Sequence, residues 1–249
     1  MDSFNSPATY NPYNCIVASN IVKAFGRVRA LNGLNISVPC GRRVALLGPN
    51  GAGKSTALKI LAGLLLPDSG EVLLKGNSPN SMQAKEILGY LPEDAVPYIS
   101  LSVRENLEYV AAIRGIQESQ ARIDQIIDLL NLQEYEDMKI TKVSRGTRQK
   151  VSVAISIIHN PEVVLMDEPL NYLDIPSQEN MIKLLSSMNA TFLISTHILS
   201  IAERLTDDVI IISHGQEIWK GRRNDLQKLG NTENEPVESI VARLMENAR

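Results

Sequence analysis

An α/β fold with a mostly parallel sheet follows from three features of this sequence: short apolar runs rich in branched residues, amphipathic segments alternating with them, and a glycine-rich turn joining one such pair. The runs are Val44-Ala-Leu-Leu47, Val163-Val-Leu-Met166, Phe192-Leu-Ile-Ser195 and Val209-Ile-Ile-Ile212. Strands buried on both faces read as continuous apolar stretches of this kind. Helical patterns lie between and after them: residues 54–65, residues 177–188 behind Pro176, and Ile198, Ile201, Ala202 and Leu205 at helical spacing. Such alternation places helices on the faces of a parallel sheet.

Two stretches break the alternation. Leu34-Asn-Ile-Ser-Val38 has period two, the pattern of a half-exposed antiparallel strand, so a small antiparallel β subdomain is expected near the N-terminus. Across residues 102–159 strand signals vanish. Ser102-Val-Arg-Glu105 is a capping box, and Ile123, Ile126, Ile127 and Leu130 recur at helical spacing, which predicts a helical insert. Near the end Val237, Ile240, Val241 and Leu244 form one stripe, more often a face docked on its own domain than a partner site. The resulting division is a tail over 1–15, a core with its β subdomain over 16–92 and 160–225, a helical insert over 93–159, and a C-terminal helical extension over 226–249.

Bulk properties bound the function. A chain of 249 residues, 44% hydrophobic, can bury a substantial core. A net charge of -3 weighs against the clustered cations of a nucleic-acid binder, so no nucleic-acid partner is expected. Cys15 and Cys40 alone support neither a disulfide framework nor a multi-cysteine metal site, and suit a reducing compartment such as the cytosol. No apolar run approaches the roughly 20 residues that span a bilayer; residues 58–66 come nearest and are broken by Lys59 and Gly63. The first fifteen residues have neither the basic start nor the apolar stretch of a signal peptide.

The strongest local signal is the run Gly48, Pro49, Asn50, Gly51, Ala52, Gly53, Lys54, Ser55 and Thr56, a match to G-x-x-x-x-G-K-[ST] set between a predicted strand and a predicted helix. Glycines let backbone N–H groups turn inward around phosphate oxygens, and the helix N-terminus adds its positive dipole. Lys54 then reaches the β and γ phosphates of a nucleotide, Ser55 offers a hydroxyl to Mg²⁺, and Thr56 is a phosphate neighbour. A second signal ends the run at Val163: Asp167 and Glu168 stand at the carboxyl end of a strand, where open α/β sheets bind ligands. Asp167 is the candidate Mg²⁺ ligand and Glu168 the candidate general base toward water. Acids in that position also cap helices, and it is the phosphate loop that favours the chemical reading.

Taken with the order of further motifs, these residues resemble the ATP-binding cassette family of phosphate-loop ATPases over residues 16–221. Val143-Ser-Arg-Gly-Thr-Arg-Gln-Lys150 is similar to the family's signature sequence, with Arg145 and Thr147 in place of its commonest glycine and glutamine. The resemblance implies that Ser144 and Gly146 present donors to the γ-phosphate of a nucleotide held by another subunit. Pro169-Leu-Asn-Tyr-Leu-Asp174 looks like the D-loop, with Asp174 communicating across a dimer; helix capping is the other reading of Asp174. His197 falls where the family places a switch histidine, although on residue type alone a histidine at a strand end is surface polarity. Phe25 stands where the family stacks an aromatic on adenine, and a core phenylalanine is the other reading. Gly89-Tyr-Leu-Pro-Glu93 resembles the Q-loop with Glu93 for the usual glutamine, still an oxygen ligand for Mg²⁺. That replacement resembles the branch of exporters with separately encoded permeases.

The resemblance therefore implies an ATPase with ATP and Mg²⁺ as its cofactors, a second ATP-binding subunit (an identical copy or a paralogue), a transmembrane permease as partner, and a place on the inner face of the cell membrane. Two other readings stand beside it: a cassette ATPase that works without a permease, and a regulatory subunit that binds ATP with little hydrolysis.

Overall fold

The computed structural model describes residues 11–231 and 235–246, apart from the side chains of Ser200 and Ile201. Residues 1–10 of the expected tail and the Ile201 position of the predicted stripe thus fall outside the described residues. In chain order the elements are β1 (Asn14–Phe25), β2 (Val28–Pro39), β3 (Arg43–Leu47), α1 (Lys54–Leu61), β4 (Ser69–Leu74), α2 (Met82–Ile87), β5 (Leu88–Leu91), α3 (Val103–Ile113), α4 (Gln120–Leu129), α5 (Arg145–Ile157), β6 (Val163–Asp167), α6 (Ile175–Ser187), β7 (Thr191–Thr196), α7 (Leu199–Leu205), β8 (Asp208–Ser213), β9 (Gln216–Arg222), α8 (Arg223–Gln227) and α9 (Val237–Glu246).

Two sheets form. One is antiparallel with order β2-β1-β4; the other has order β5-β6-β7-β3-β8-β9 and is parallel except for β9. Alternation along β3 shows how the layers divide. Val44 and Leu46 face a core shared with α1 and the antiparallel sheet, whereas Ala45 and Leu47 face α7, Leu226 of α8 and α9. Val164, Met166, Phe192 and Ile194 point instead into the apolar core of α3, α4, α5 and α6. The stripe of Ile240 and Val241 accordingly docks on its own domain. No helix among the described residues is long and apolar enough to cross a membrane.

Local signals act where expected. Ser102 caps α3, accepting from the Glu105 backbone N–H while the Glu105 carboxylate accepts from the Ser102 backbone N–H. The helix predicted over 54–65 ends earlier, because Gly63 at φ +72° supplies a left-handed stop. Strands β4, β5 and β9 had no sequence expectation: Leu88-Gly-Tyr-Leu91 is four residues with an internal glycine, and β9 is a polar edge. One reading is overturned. Cys15 and Cys40 form a disulfide, with Cα atoms 4.7 Å apart. Counting cysteines could not reveal this, since it depends on the register that places Asn14 opposite Pro39.

His159, just past α5, carries a consequence for stability. Its Nε2–H donates to the Leu88 carbonyl at 3.0 Å, while Nδ1 is buried without a hydrogen-bond partner among the described residues. Burial, and secondly the Arg114 cation, pushes its pKa from 6.5 down to about 4. The neutral ring thus contributes stability that is fully present above the unfolded value and is lost as pH falls from 6.5 toward about 4. Urea unfolding should show stability falling by up to about 1.4 kcal/mol per pH unit in that window. His159→Gln should remove this component of the slope; an unchanged slope would assign it to other groups.

Candidate functional site

Three neighbouring parallel strands, β6, β7 and β3, deliver their carboxyl ends to one cleft. From β3 comes the loop of residues 48–53 leading into α1, from β6 the pair Asp167 and Glu168, and from β7 His197. The cleft has a volume of 510 Å³ and is lined by Phe25, Asn50, Gly51, Gly53, Lys54, Ser55, Thr56, Glu93, Asp167, Glu168 and His197, together with Val28, Arg29 and Ala30. Residues from Phe25 to His197 meet there because the strand order brings non-consecutive strands side by side.

The loop's shape is imposed by close packing. Gly53 has φ +102°, and a Cβ there would lie 2.6 Å from the Ala30 carbonyl oxygen, so only glycine lets the chain enter α1 at this angle. Buried at the start of that helix, Lys54 donates from Nζ to the Gly48 carbonyl at 2.7 Å and the Pro49 carbonyl at 3.1 Å. Burial pushes its pKa below the ordinary lysine value, opposed by the charges of Glu168, Asp167 and Glu93. The ammonium is thus a desolvated charge on which the three acids act from nearby.

Asp167 and Glu168 are both buried, and each has a partner that the sequence did not suggest or left open. Asp167 accepts a hydrogen bond from Ser195, the residue opposite it in the β6–β7 register. A Glu168 carboxylate oxygen lies 2.6 Å from His197 Nδ1. Glu168 itself has φ +50°, an uncommon conformation for a residue with a Cβ, and its loop is braced by Gln149, whose amide donates to the Pro169 carbonyl at 3.0 Å. His197 is thus tied to an acid rather than standing as isolated surface polarity. Phe25 is 52% exposed at the tip of the β1–β2 hairpin beside Val28, so the core reading of this residue does not hold. Val28, Arg29 and Ala30 were missed; the turn signal of Gly26 between apolar Phe25 and Val28 marks that tip in sequence.

Ser144, Gly146 and Asp174 are absent from this cleft's lining. Ser144 caps α5, accepting from the Thr147 N–H at 3.0 Å, and Asp174 caps α6, accepting from the Ser177 N–H at 2.9 Å. The two loops touch: a Cβ on Gly146 would fall 2.8 Å from the Tyr172 carbonyl oxygen, and the Arg145 guanidinium lies 3.4 Å from the Tyr172 ring centre. Ser144, Arg145, Tyr172 and Asp174 are all exposed on this surface.

A family model described as ABC transporter matches residues 31–171, which include the loop, both acids and the Ser144 segment. The chain belongs to the ABC transporter ATP-binding family. It is 35% identical over 224 residues to the lantibiotic transport ATP-binding protein SrtF of Streptococcus pyogenes, covering 86% of this chain and 95% of that one. Over 207 residues it is 35% identical to the bacitracin transport ATP-binding protein BcrA of Bacillus licheniformis, covering 81% of this chain and 67% of the relative. A solved ATP-binding subunit of an ABC transporter superposes with a TM-score of 0.84 at 26% identity, covering 92% of this chain and 99% of the other. Ser55, Glu93 and Asp167 supply the cleft with hard oxygen donors. Such donors suit Mg²⁺, which is commonly held by one or two carboxylates and the phosphates of its nucleotide.

Proposed function

We propose that this chain is the ATP-hydrolysing subunit of an ABC transporter, binding Mg-ATP between two cassettes and powering a separate membrane permease. The observation that carries it is the 2.6 Å contact between Glu168 and His197 at the edge of the cleft that contains Lys54. Mg²⁺, when bound, neutralises triphosphate charge, with Ser55, Asp167 and Glu93 as its holders. Lys54 binds the terminal phosphates, and the loop N–H groups orient them. Phe25 and Val28 offer an apolar face for a base. Glu168 accepts a proton from the attacking water, and His197 fixes the direction of that carboxylate.

Dimerisation is supported by what one cassette leaves unfinished. Ser144 and Gly146 sit outside their own cleft at the start of α5, ready to close the cleft of a second subunit. Permease docking is supported by apolar surface next to Glu93: Val96, Tyr98, Ile99 and Tyr109 are exposed, with the two tyrosine rings edge to face at 4.8 Å. Movement of Glu93 with bound nucleotide would reach this patch directly, and a permease seated there would hold the chain on the inner face of the membrane.

The test is Mg-ATP turnover against protein concentration. Specific activity should rise with concentration and saturate once dimers dominate. Full activity in a monomer at high dilution would overturn the dimer mechanism.

A further inference from the structure

The backbone turn that carries Glu168 is strained, and a side chain from outside the cleft's lining holds it. Glu168 has φ +50°, and Pro169 follows it. A residue before proline is pushed toward extended backbone, and a left-handed residue with a Cβ carries its own cost. Within the turn the Asn171 N–H donates to the Glu168 carbonyl at 3.2 Å, and the Glu168 N–H donates to the Ser195 carbonyl at 3.1 Å. The Gln149 amide completes the frame: its Nε2 donates to the Pro169 carbonyl at 3.0 Å and to the Glu168 carbonyl at 3.4 Å. Gln149 is 6% exposed and projects from α5, whose Val151, Val153, Ala154 and Ile157 are buried in the apolar core, so packing fixes where that amide sits. The carboxylate end of Glu168 is held separately, by His197.

We propose that Gln149 is a positioning residue for the base: it fixes the backbone of Glu168, as His197 fixes the carboxylate, and so sets where a water must sit to lose its proton. Anchored at both ends, the carboxylate has few directions open to it. Without the backbone anchor the turn relaxes toward the extended geometry that Pro169 favours, and the carboxylate swings with it. Misplacing a catalytic group by about 1 Å can cost about 10²-fold in rate. This inference rests on the reading of Glu168 as general base and goes beyond it in naming the group outside the cleft that makes the base effective.

The experiment measures kcat and KM for Mg-ATP at saturating protein concentration, with ATP affinity and melting temperature beside them, for Gln149→Met, Gln149→Lys, Glu168→Gln, and Gln149→Met combined with Glu168→Gln. Gln149→Met keeps the length and removes the donor; it should lower kcat about 10- to 100-fold and leave KM and ATP affinity unchanged. Gln149→Lys returns an N–H donor of similar reach and should recover most of the loss. In the Glu168→Gln background Gln149→Met should alter the residual turnover by less than about twofold, because a residue acting through the base has nothing left to position. A kcat at the parent's level, a loss that adds in full to that of Glu168→Gln, or a loss that lysine does not relieve and that follows a lowered melting temperature would each overturn the proposal. Should Gln149→Met fail to fold, Gln149→Glu, similar in shape and without a donor when ionised, takes its place under the same criteria. If Glu168→Gln turns over like the parent, the base reading fails and this inference with it; if only Gln149→Met does, the inference fails alone.

Discussion

Glu168→Gln should lower Mg-ATP hydrolysis by about 10²- to 10⁴-fold, the range a positioned general base contributes, while ATP binding changes little. The substitution keeps size and shape at a position that is 7% exposed and strained at φ +50°, so the loop braced by Gln149 should hold. It removes the one property the mechanism requires, a lone pair basic enough to take a proton from water. An amide oxygen can still face His197, so the pair at 2.6 Å should survive in weakened form. With ATP no longer consumed, the closed state outlasts that of the parent, and the variant should accumulate as a nucleotide-loaded dimer. Single-turnover hydrolysis and sedimentation together check this. Turnover within tenfold of the parent would mean that another group accepts the proton, and His197→Gln would then be the next substitution to measure.

Why the cleft was readable in sequence while its supports were not comes down to sequence distance. The phosphate loop is one continuous run whose glycines and lysine each answer a local requirement, and Asp167 with Glu168 ends a strand whose apolar run announces it. Ser195 could not be foreseen as the partner of Asp167, since the contact exists only because β6 and β7 align those two residues. The Cys15–Cys40 bond depends in the same way on the β1–β2 register. For Phe25 the sequence left two readings, and the decision came from Gly26 at φ +59°, which turns the hairpin so that the ring ends outside the core. Arg145 was visible as a departure from the family pattern, but its ring partner lies 27 positions away across a helix and a strand. Local motifs thus declare chemistry, whereas tertiary register decides which side chains hold it in place.

Lys54→Met should separate binding from stability. An ammonium in contact with two phosphates makes charge-assisted hydrogen bonds of about 1.5–3 kcal/mol each, so the loss in Mg-ATP affinity should reach about 10²- to 10⁴-fold. Folding responds differently. Lys54 is buried, and desolvation is the leading reason its pKa is lowered; the charges of Glu168, Asp167 and Glu93 only partly offset it. Its hydrogen bonds in this conformation go to the Gly48 and Pro49 carbonyls, which a nucleotide would replace with phosphate oxygens. Methionine fills a comparable volume without a buried charge, so the ligand-free melting temperature should stay level or rise, and only the ATP-induced increase should vanish. A calorimetric titration and a thermal melt with and without Mg-ATP measure both quantities. A variant that melts well below the parent would show that Lys54 stabilises the empty loop more than its desolvation costs, and the separation would fail. If the expected outcome holds, the lysine is retained against the interest of the fold because the phosphate cleft needs it.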